Sequence, residues 1–218
     1  MKIFLDTADS KEIAKAYETG LIDGITTNPT LILKSGRTIE AVASELTSWC
    51  PSLTSISTEV VADTAEEMVE QARFYLPIGN AITIKVPCTV EGLKACKILS
   101  DEGIKVNVTL IFSVSQAILA AKAGAAYVSP FVGRMNDNSL SGVALVQSIA
   151  ETYSVHGVKT EVLAASVREV HQVGRCFAAG ADICTIPPKV FWGMYKHILT
   201  DKGLELFQTD WESANANG

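Results

Sequence analysis

The sequence predicts an α/β protein folded as one (β/α)8 barrel, the TIM-barrel fold, with an additional C-terminal helix. Three observations support this: eight strand-like runs alternate with helix-like segments, 48% of the residues are hydrophobic, and only 19% are charged. Such a composition suits parallel strands that are buried on both faces. A doubly wound open sheet is the alternative, but its dinucleotide-binding fingerprint G-x-G-x-x-G does not occur. No linker divides the chain, so residues 1–218 are expected to form a single domain.

Each repeating unit consists of a short strand, a helix and a glycine. The predicted strands are residues 2–6, 23–26, 55–60, 81–86, 104–108, 126–129, 160–165 and 182–186. Helix ends are marked by glycines at the left-handed position after the last turn, namely Gly20, Gly103, Gly124 and Gly180. Helix starts are marked by capping-box spacings: Asp9 with Glu12, Asp63 with Glu66, Ser113 with Gln116, and Ser166 with Glu169. A further helix near 201–213 follows the eighth unit.

Composition and charge exclude several classes of protein. A net charge of −6 does not favour binding to nucleic acid or to an anionic membrane. Asp6 interrupts the first apolar run too early for a secretory signal, and no apolar run is long enough for a membrane span, so a cytoplasmic protein is expected. The five cysteines form no C-x-x-C pair, which indicates reduced thiols, and the three scattered histidines predict no metal site.

Polar residues inside the predicted strands carry the functional signal. Because Ile82, Ile84 and Val86 form an apolar face toward the helices, Lys85 must face the barrel axis. The same alternation turns other polar residues inward at or just past the strand ends: Asp6, Thr26, Asn28, Glu59, Asn107, Thr109, Ser129 and Ser166. Barrel enzymes assemble their active sites at this end. A buried ion pair of Lys85 with Asp6 or Glu59 is the purely structural alternative, but a barrel does not need an inward lysine.

A buried lysine beside carboxylates is suited to covalent chemistry on a carbonyl substrate. Burial disfavours the charged form of an amine, and the free amine is the nucleophile that forms a Schiff base. Carboxylates provide the proton transfers, and the protonated imine accepts electrons, so no cofactor is expected. Arg134 and Arg168, with Ser166, lie near strand ends where they would bind a phosphate group. Either arginine alone is more often a solvated surface charge.

At these residues the chain resembles the transaldolase family, in the short subfamily shared with fructose-6-phosphate aldolases. The matching segments are FLDTAD (4–9), DGITTNPTLI (23–32), TIKVPCTVEGLKA (83–95), NVTLIFSVSQAILAAKAGAAYVSPFVGR (107–134), VLAASVR (162–168) and FQTDW (207–211). The resemblance implies a (β/α)8 barrel, in agreement with the strand count. Residues 48–57 and 187–199 match only loosely, which leaves subunit contacts and the effect of the barrel rim on substrate size open.

The resemblance also implies roles for individual residues. Lys85 resembles the Schiff-base lysine, and Asp6 resembles the acid/base that takes the proton of the substrate C4 hydroxyl. Glu59 and Thr109 resemble the pair that positions the catalytic water. The expected substrate contacts are Asn28, Asn107 and Ser129 at the dihydroxyacetone end, Arg134, Ser166 and Arg168 at the phosphate end, and Thr26 and Phe131.

By this resemblance the chain is closer to a transaldolase than to its aldolase relatives. The aldolases carry glutamine in place of Glu59 and tyrosine in place of Phe131. The implied reaction transfers a dihydroxyacetone unit between sugar phosphates in pentose phosphate metabolism. An aldolase that releases free dihydroxyacetone is the first alternative, and a non-catalytic sugar-phosphate-binding barrel is the second.

The C-terminal helix predicts how copies of the chain associate. Leu204, Phe207 and Trp211 form a single apolar stripe on it. The stripe would pack on the chain's own barrel or, as in family members that form pentamers and decamers, on a neighbouring subunit. A homo-oligomer is therefore expected.

Overall fold

Eight parallel strands close into a barrel in the order of the chain, with the last strand paired to the first. The structure, a computed structural model, describes residues 1–216, and residues 217–218 of the predicted domain lie outside the described residues. The strands are β1 (Lys2–Asp6), β2 (Gly24–Thr26), β3 (Ser55–Glu59), β4 (Ile82–Pro87), β5 (Val106–Ile111), β6 (Tyr127–Pro130), β7 (Glu161–Ala164) and β8 (Ile183–Ile186). The predicted fold class is confirmed.

A layer of helices surrounds the barrel, and two helices instead of one follow each of β2, β6 and β8. The helices are α1 (Ser10–Tyr17), α2 (Pro29–Ser35), α3 (Ile39–Trp49), α4 (Ala65–Tyr75), α5 (Val90–Asp101), α6 (Val114–Lys122), α7 (Val132–Asp137), α8 (Gly142–His156), α9 (Val170–Ala178), α10 (Pro188–Gly193) and α11 (Ile198–Ala216). A short 3-10 turn, Leu76–Ile78, follows α4. The short helices α2 and α7 lie directly after β2 and β6, and the cavity described below is lined by Asn28, the N-cap of α2, and by Arg134 of α7.

Local signals predict the helix ends better than the helix starts. Gly20, Gly103, Gly124 and Gly180 have φ angles of 71°, 79°, 87° and 94°, so the left-handed conformation predicted for them is confirmed. Asp9 and Ser113 are confirmed as N-caps, but neither forms a reciprocal capping box: the N–H of Asp9 is bonded to Thr7 Oγ1, and Gln116 Oε1 accepts from the N–H of Phe112.

The other two predicted helix starts are wrong. The box expected at Asp63 lies one residue later, at Thr64 with Glu67. Ser166 does not cap a helix: α9 begins at Val170, and Ser166 has a left-handed φ of 56° in the preceding loop.

The alternation of side chains across the barrel wall is confirmed by two separate hydrophobic clusters. The larger cluster lies between the strands and the helices and includes Ile82, Ile84 and Val86. The smaller cluster fills the barrel interior and consists of Phe4, Tyr127, Leu163, Ala165 and Ile183. Above this apolar layer the inward positions become polar toward the C-terminal ends of the strands. The barrel interior therefore has a largely apolar lower layer, where the buried hydroxyls of Ser55 and Thr83 lie 2.8 Å apart, and a polar mouth.

The five cysteines are free thiols, and all except Cys88 are buried. Among residues 1–216, no helix is long and apolar enough to cross a membrane.

The C-terminal helix α11 extends beyond the predicted 201–213 at both ends. Its stripe does not pack on the chain's own barrel, because Leu204, Phe207 and Trp211 are 62%, 70% and 68% exposed. That alternative is therefore wrong for this chain.

Candidate active site

A polar cavity of about 190 Å³ opens at the C-terminal ends of the strands. The predicted site residues that line it are Asp6, Thr26, Asn28, Lys85, Asn107, Thr109, Ser129, Phe131, Arg134, Ser166 and Arg168. Glu59, the remaining predicted residue, contacts Lys85 beside the cavity. The fold thus brings together all the residues that the sequence selected, from strands β1 to β6 and from the segments that follow β2, β6 and β7.

Lys85 is held by two neighbours. Its Nζ lies 2.9 Å from Oε2 of Glu59, the residue opposite it in the β3–β4 register. The same Nζ donates a 3.0 Å hydrogen bond to the carbonyl of Thr27. Only 8% of the Lys85 side chain is exposed, so this ion pair is largely removed from water. An ammonium has three N–H donors, so one remains available toward the cavity.

Asp6 lies at the end of β1 in contact with the hydroxyl of Thr26. Thr26 Oγ1 donates a 2.7 Å hydrogen bond to Asp6 Oδ1, and the same Oγ1 lies 2.6 Å from the hydroxyl of Thr185. Burial raises the pKa of Asp6, and the nearby charge of Glu59 raises it further. The Thr26 hydrogen bond and the charge of Lys85 act in the opposite direction without cancelling the effect of burial. Asp6 is therefore a carboxyl group that accepts a proton more readily than an exposed one.

Two amide side chains that line the cavity, those of Asn107 and Asn28, are oriented by their hydrogen bonds. Ser129 Oγ donates to Asn107 Oδ1 at 2.7 Å, and Asn107 Nδ2 donates to Ser57 Oγ at 3.2 Å. Asn28 caps α2, because its Oδ1 accepts a 3.0 Å hydrogen bond from the backbone N–H of Leu31. Its carbonyl oxygen thus has a partner, which leaves the amide N–H groups of Asn28 to face a ligand.

Thr109 presents an unpaired hydroxyl to the cavity. Its Oγ1 is buried and has no hydrogen-bond partner among the residues that the structure describes. Leu110, the next residue, has a φ of 61°, and the β5–β6 register shifts between Val108 and Ile111. Such an irregularity redirects side chains and is common next to active sites. A buried hydroxyl without a partner is unfavourable, so this group is suited to binding a water or a substrate atom.

Two guanidinium groups lie on the side of the cavity that is bounded by α7. Arg134 lies over the ring of Phe131, with 5.0 Å from its Cζ to the ring centroid. Arg168 forms a bidentate pair with Asp137, with 2.7 Å from each terminal nitrogen to a carboxylate oxygen. Gly133 lies between them and donates its N–H to the carbonyl of Ser166 at 3.0 Å. A Cβ on Gly133 would lie 2.3 Å from that carbonyl oxygen, so only glycine fits there.

Comparison with known proteins identifies the family of this chain. The family model described as transaldolase/fructose-6-phosphate aldolase matches residues 3–217. The chain belongs to the transaldolase/fructose-6-phosphate aldolase family. A relative from Cereibacter sphaeroides, named "Probable transaldolase", is 51% identical over 212 residues and covers 97% of this chain and 95% of the relative. Another of the same name, from Lactiplantibacillus plantarum, is 50% identical over 216 residues and covers 99% of each chain.

A solved structure shares the fold of this family member. It is the crystal structure of 3-hexulose-6-phosphate synthase, which matches with a TM-score of 0.63 and 18% sequence identity. The match covers 86% of this chain and 90% of that chain. At this identity the likeness concerns the barrel alone.

The family resemblance did not point to every residue of the site. Leu163, Ala165 and Thr185 also line the cavity. Asp137 pairs with Arg168, and Gly133 lies against the loop that carries Arg168. The alternation rule would have found Thr185, because Ile183 in the same strand faces inward and residues two apart share a face. The sequence contains no comparable signal for Asp137, which lies 31 residues from Arg168.

Proposed function

We propose that this family member is a transaldolase that transfers a dihydroxyacetone unit through a Schiff base on Lys85. The donor is sedoheptulose 7-phosphate or fructose 6-phosphate, and the acceptor is an aldose phosphate. The observation that carries the proposal is the buried Lys85, whose Nζ lies 2.9 Å from Glu59 inside a polar cavity that also contains two arginines. The names of the relatives in two bacteria support the same activity.

Imine formation uses Lys85, Glu59 and Thr109. Glu59 accepts a proton from the Lys85 ammonium across their 2.9 Å contact, and the free amine attacks the C2 carbonyl of the ketose. The resulting carbinolamine loses its hydroxyl as water when Glu59 returns the proton, which leaves a protonated imine. The unpaired hydroxyl of Thr109 binds this water, and it binds the water of hydrolysis in the reverse step.

Carbon–carbon cleavage uses Asp6. Asp6 takes the proton of the C4 hydroxyl, the C3–C4 bond breaks, and its electrons move into the imine to give an enamine. An aldose phosphate leaves. The raised pKa of Asp6 makes its carboxylate a better base than an exposed one. In the second half-reaction the enamine attacks the acceptor aldehyde, and Asp6 returns the proton to the new hydroxyl.

The remaining residues hold the two ends of the substrate. Asn28, Asn107 and Ser129 bind the hydroxyl groups of the dihydroxyacetone unit, and the alternation of donors and acceptors among them suits a polyol. Arg134, Arg168 and Ser166 bind the phosphate group. No cofactor takes part in this scheme.

Reductive trapping tests the covalent step. Fructose 6-phosphate and borohydride should leave a stable adduct on Lys85, which mass spectrometry of the digested protein would locate. The adduct should be absent from Lys85→Ala and present at the wild-type level in Lys105→Ala, because Lys105 lies at the N-terminal side of the barrel wall and is exposed. An adduct that persists in Lys85→Ala contradicts the role of Lys85, and the absence of an adduct in the wild type contradicts the mechanism and favours a non-catalytic barrel.

Product analysis distinguishes transaldolase from aldolase. Once the enamine is protonated on carbon, water can attack the resulting imine and release dihydroxyacetone. Phe131 lines the cavity with a ring that has no hydroxyl to direct that water, which favours transfer over hydrolysis. Transfer from fructose 6-phosphate to erythrose 4-phosphate should therefore greatly exceed release of free dihydroxyacetone. The opposite ratio identifies an aldolase. Phe131→Tyr should raise the share of free dihydroxyacetone.

We further propose that the enzyme works in pentose phosphate metabolism in the cytoplasm as a homo-oligomer. The exposed stripe of α11 supports association, because three large apolar side chains, Leu204, Phe207 and Trp211, face solvent in the single chain. The proposal that the stripe packs on a neighbouring subunit, in a pentamer or decamer, is based on the family resemblance.

A further inference from the structure

The contact between Thr26 and Thr185 has a defined direction. A threonine hydroxyl has one proton to donate, and the proton of Thr26 is donated to Asp6 Oδ1 at 2.7 Å. An ionised Asp6 has no proton to return. The 2.6 Å contact between Thr26 Oγ1 and Thr185 Oγ1 therefore has its proton on Thr185. The three side chains form one chain of hydrogen bonds in which Thr185 donates to Thr26 and Thr26 donates to Asp6.

We propose that Thr185 is a positioning residue for the acid/base Asp6, which it controls through the hydroxyl of Thr26. This rests on the proposed function, in which Asp6 moves the C4 proton. Thr185 occupies the lone pair of Thr26 that would otherwise accept from water or substrate, and so it fixes the rotation of the Thr26 hydroxyl toward Asp6. Hydrogen bonds in such a chain polarise one another, so Thr185 strengthens the bond that Asp6 receives.

The barrel holds the three residues in place from both sides. β1 lies between β8 and β2, with Phe4 opposite Thr185 in one register and Asp6 opposite Thr26 in the other. Thr26 and Thr185 are each only 2% exposed. The ring of Phe4, the residue opposite Thr185, lies over Gly24, where a Cβ would come within 2.6 Å of the ring. The pair is therefore buried, and its hydrogen bonds do not compete with bulk water.

Replacement of Thr185 should raise the pKa of Asp6. The charged groups that face Asp6 are Lys85 from β4, which favours its ionised form, and Glu59 from β3, which disfavours it. Among the described residues, neither forms a hydrogen bond with Thr185, so we expect both to keep their partners when Thr185 is replaced. Loss of the Thr185 donor weakens the hydrogen bond from Thr26, and that bond lowers the pKa of Asp6. The pKa of Asp6 should then rise further.

The test compares pH profiles of Thr185→Val and Thr185→Ser with the wild type. Valine has nearly the same shape without a donor, whereas serine keeps the hydroxyl. In Thr185→Val the acidic limb of kcat/KM for the transfer reaction should move up by about half to one pH unit, the size expected for one buried hydrogen bond. In Thr185→Ser the limb should return toward the wild-type position.

Three results would overturn the proposal: an unshifted limb in Thr185→Val, a shift as large in Thr185→Ser, or a uniform loss of activity at every pH. Borohydride trapping on Lys85 should continue in Thr185→Val, because Lys85 is outside the chain of hydrogen bonds. If trapping fails in the wild type as well, the proposed function is wrong rather than the role of Thr185. If Thr185→Val does not fold, as judged by circular dichroism, Thr185→Ala removes the same donor with a smaller side chain.

Discussion

Arg168 and Asp137 form a bidentate ion pair at the rim of the cavity, with 2.7 Å between each terminal guanidinium nitrogen and its carboxylate oxygen. Asp137 is the last residue of α7, and Arg168 lies in the loop before α9. The pair uses one edge of the guanidinium group and leaves its other N–H donors available. It therefore restrains the arginine without occupying it.

Asp137→Ala should impair binding of phosphorylated substrates. Without the carboxylate, Arg168 has no fixed orientation, so KM for fructose 6-phosphate should rise by about 3- to 10-fold with a small change in kcat. The size is limited because both side chains are half-exposed. Activity with unphosphorylated fructose should not change. The exposed Asp63→Asn is the control, and equal losses with both substrates would contradict a role at the phosphate end.

Gly133→Ala should damage the same end of the cavity. The added Cβ would lie 2.3 Å from the carbonyl oxygen of Ser166 and 2.8 Å from Nε of Arg168, so the loop must move. We expect a large rise in KM for fructose 6-phosphate, measured by steady-state kinetics. The matched control is Gly174→Ala in α9, where no described atom lies within 4 Å of the new Cβ. That variant should be more stable by about 0.5–1 kcal/mol in thermal unfolding. Normal kinetics in Gly133→Ala would show that the loop position is unimportant.

Thr109→Val should reduce activity without reducing stability. The Thr109 hydroxyl has no partner among the described residues, so its removal breaks no hydrogen bond. Thr160→Val is the contrast, since Thr160 Oγ1 donates a 2.7 Å hydrogen bond to the carbonyl of Ala125. Chemical denaturation should show a loss of about 1 kcal/mol in Thr160→Val and little change in Thr109→Val. Borohydride trapping should slow only in Thr109→Val. A loss of stability there would indicate a structural hydroxyl instead.

Asp6→Asn should make the protein more stable at neutral pH. The folded-state pKa of Asp6 is raised, so its contribution to stability is complete below the unfolded pKa near 3.8 and is lost as the pH rises through the folded pKa. Asparagine has no charge to bury, and it accepts the Thr26 hydrogen bond in the same way. The difference in Tm between Asp6→Asn and wild type should therefore be positive at pH 7 and shrink toward pH 4. The control Asp63→Asn should show no such trend. A Tm difference that increases on acidification would contradict a raised pKa for Asp6.

Charge on the stripe of α11 should change the mass of the protein in solution. The double variant Phe207→Glu and Trp211→Glu places two carboxylates on side chains that are 70% and 68% exposed in the single chain. If the stripe packs on a neighbouring subunit, light scattering should report a smaller species than for wild type. Lys202→Glu changes charge on the same helix outside the stripe and should leave the mass unchanged. A wild type with the mass of one chain would contradict the oligomer.

The alternation of side chains and the helix-end glycines were sufficient to predict the barrel and most of the residues that line its candidate site. Strand side chains alternate with a period of two, so the apolar face of Ile82, Ile84 and Val86 required Lys85 to point inward whatever surrounds it. Glycine has no steric cost at positive φ, so helix ends at Gly20 and Gly103 could be read from single residues. Both rules depend on a few neighbouring bonds along the chain.

Contacts between distant units depended on closure of the barrel. Ser166 matched a capping-box spacing, but the chain places it in a left-handed loop whose carbonyl accepts from Gly133, on a different unit. The partner of Arg168 comes from α7, and the Thr185–Thr26–Asp6 chain crosses the junction where β8 meets β1. Spacing along a sequence contains no information on which loop ends meet across a barrel, because that depends on strand tilt and register. The residue types proposed for the chemistry could thus be predicted from the sequence, whereas their hydrogen-bond partners followed from the closed structure.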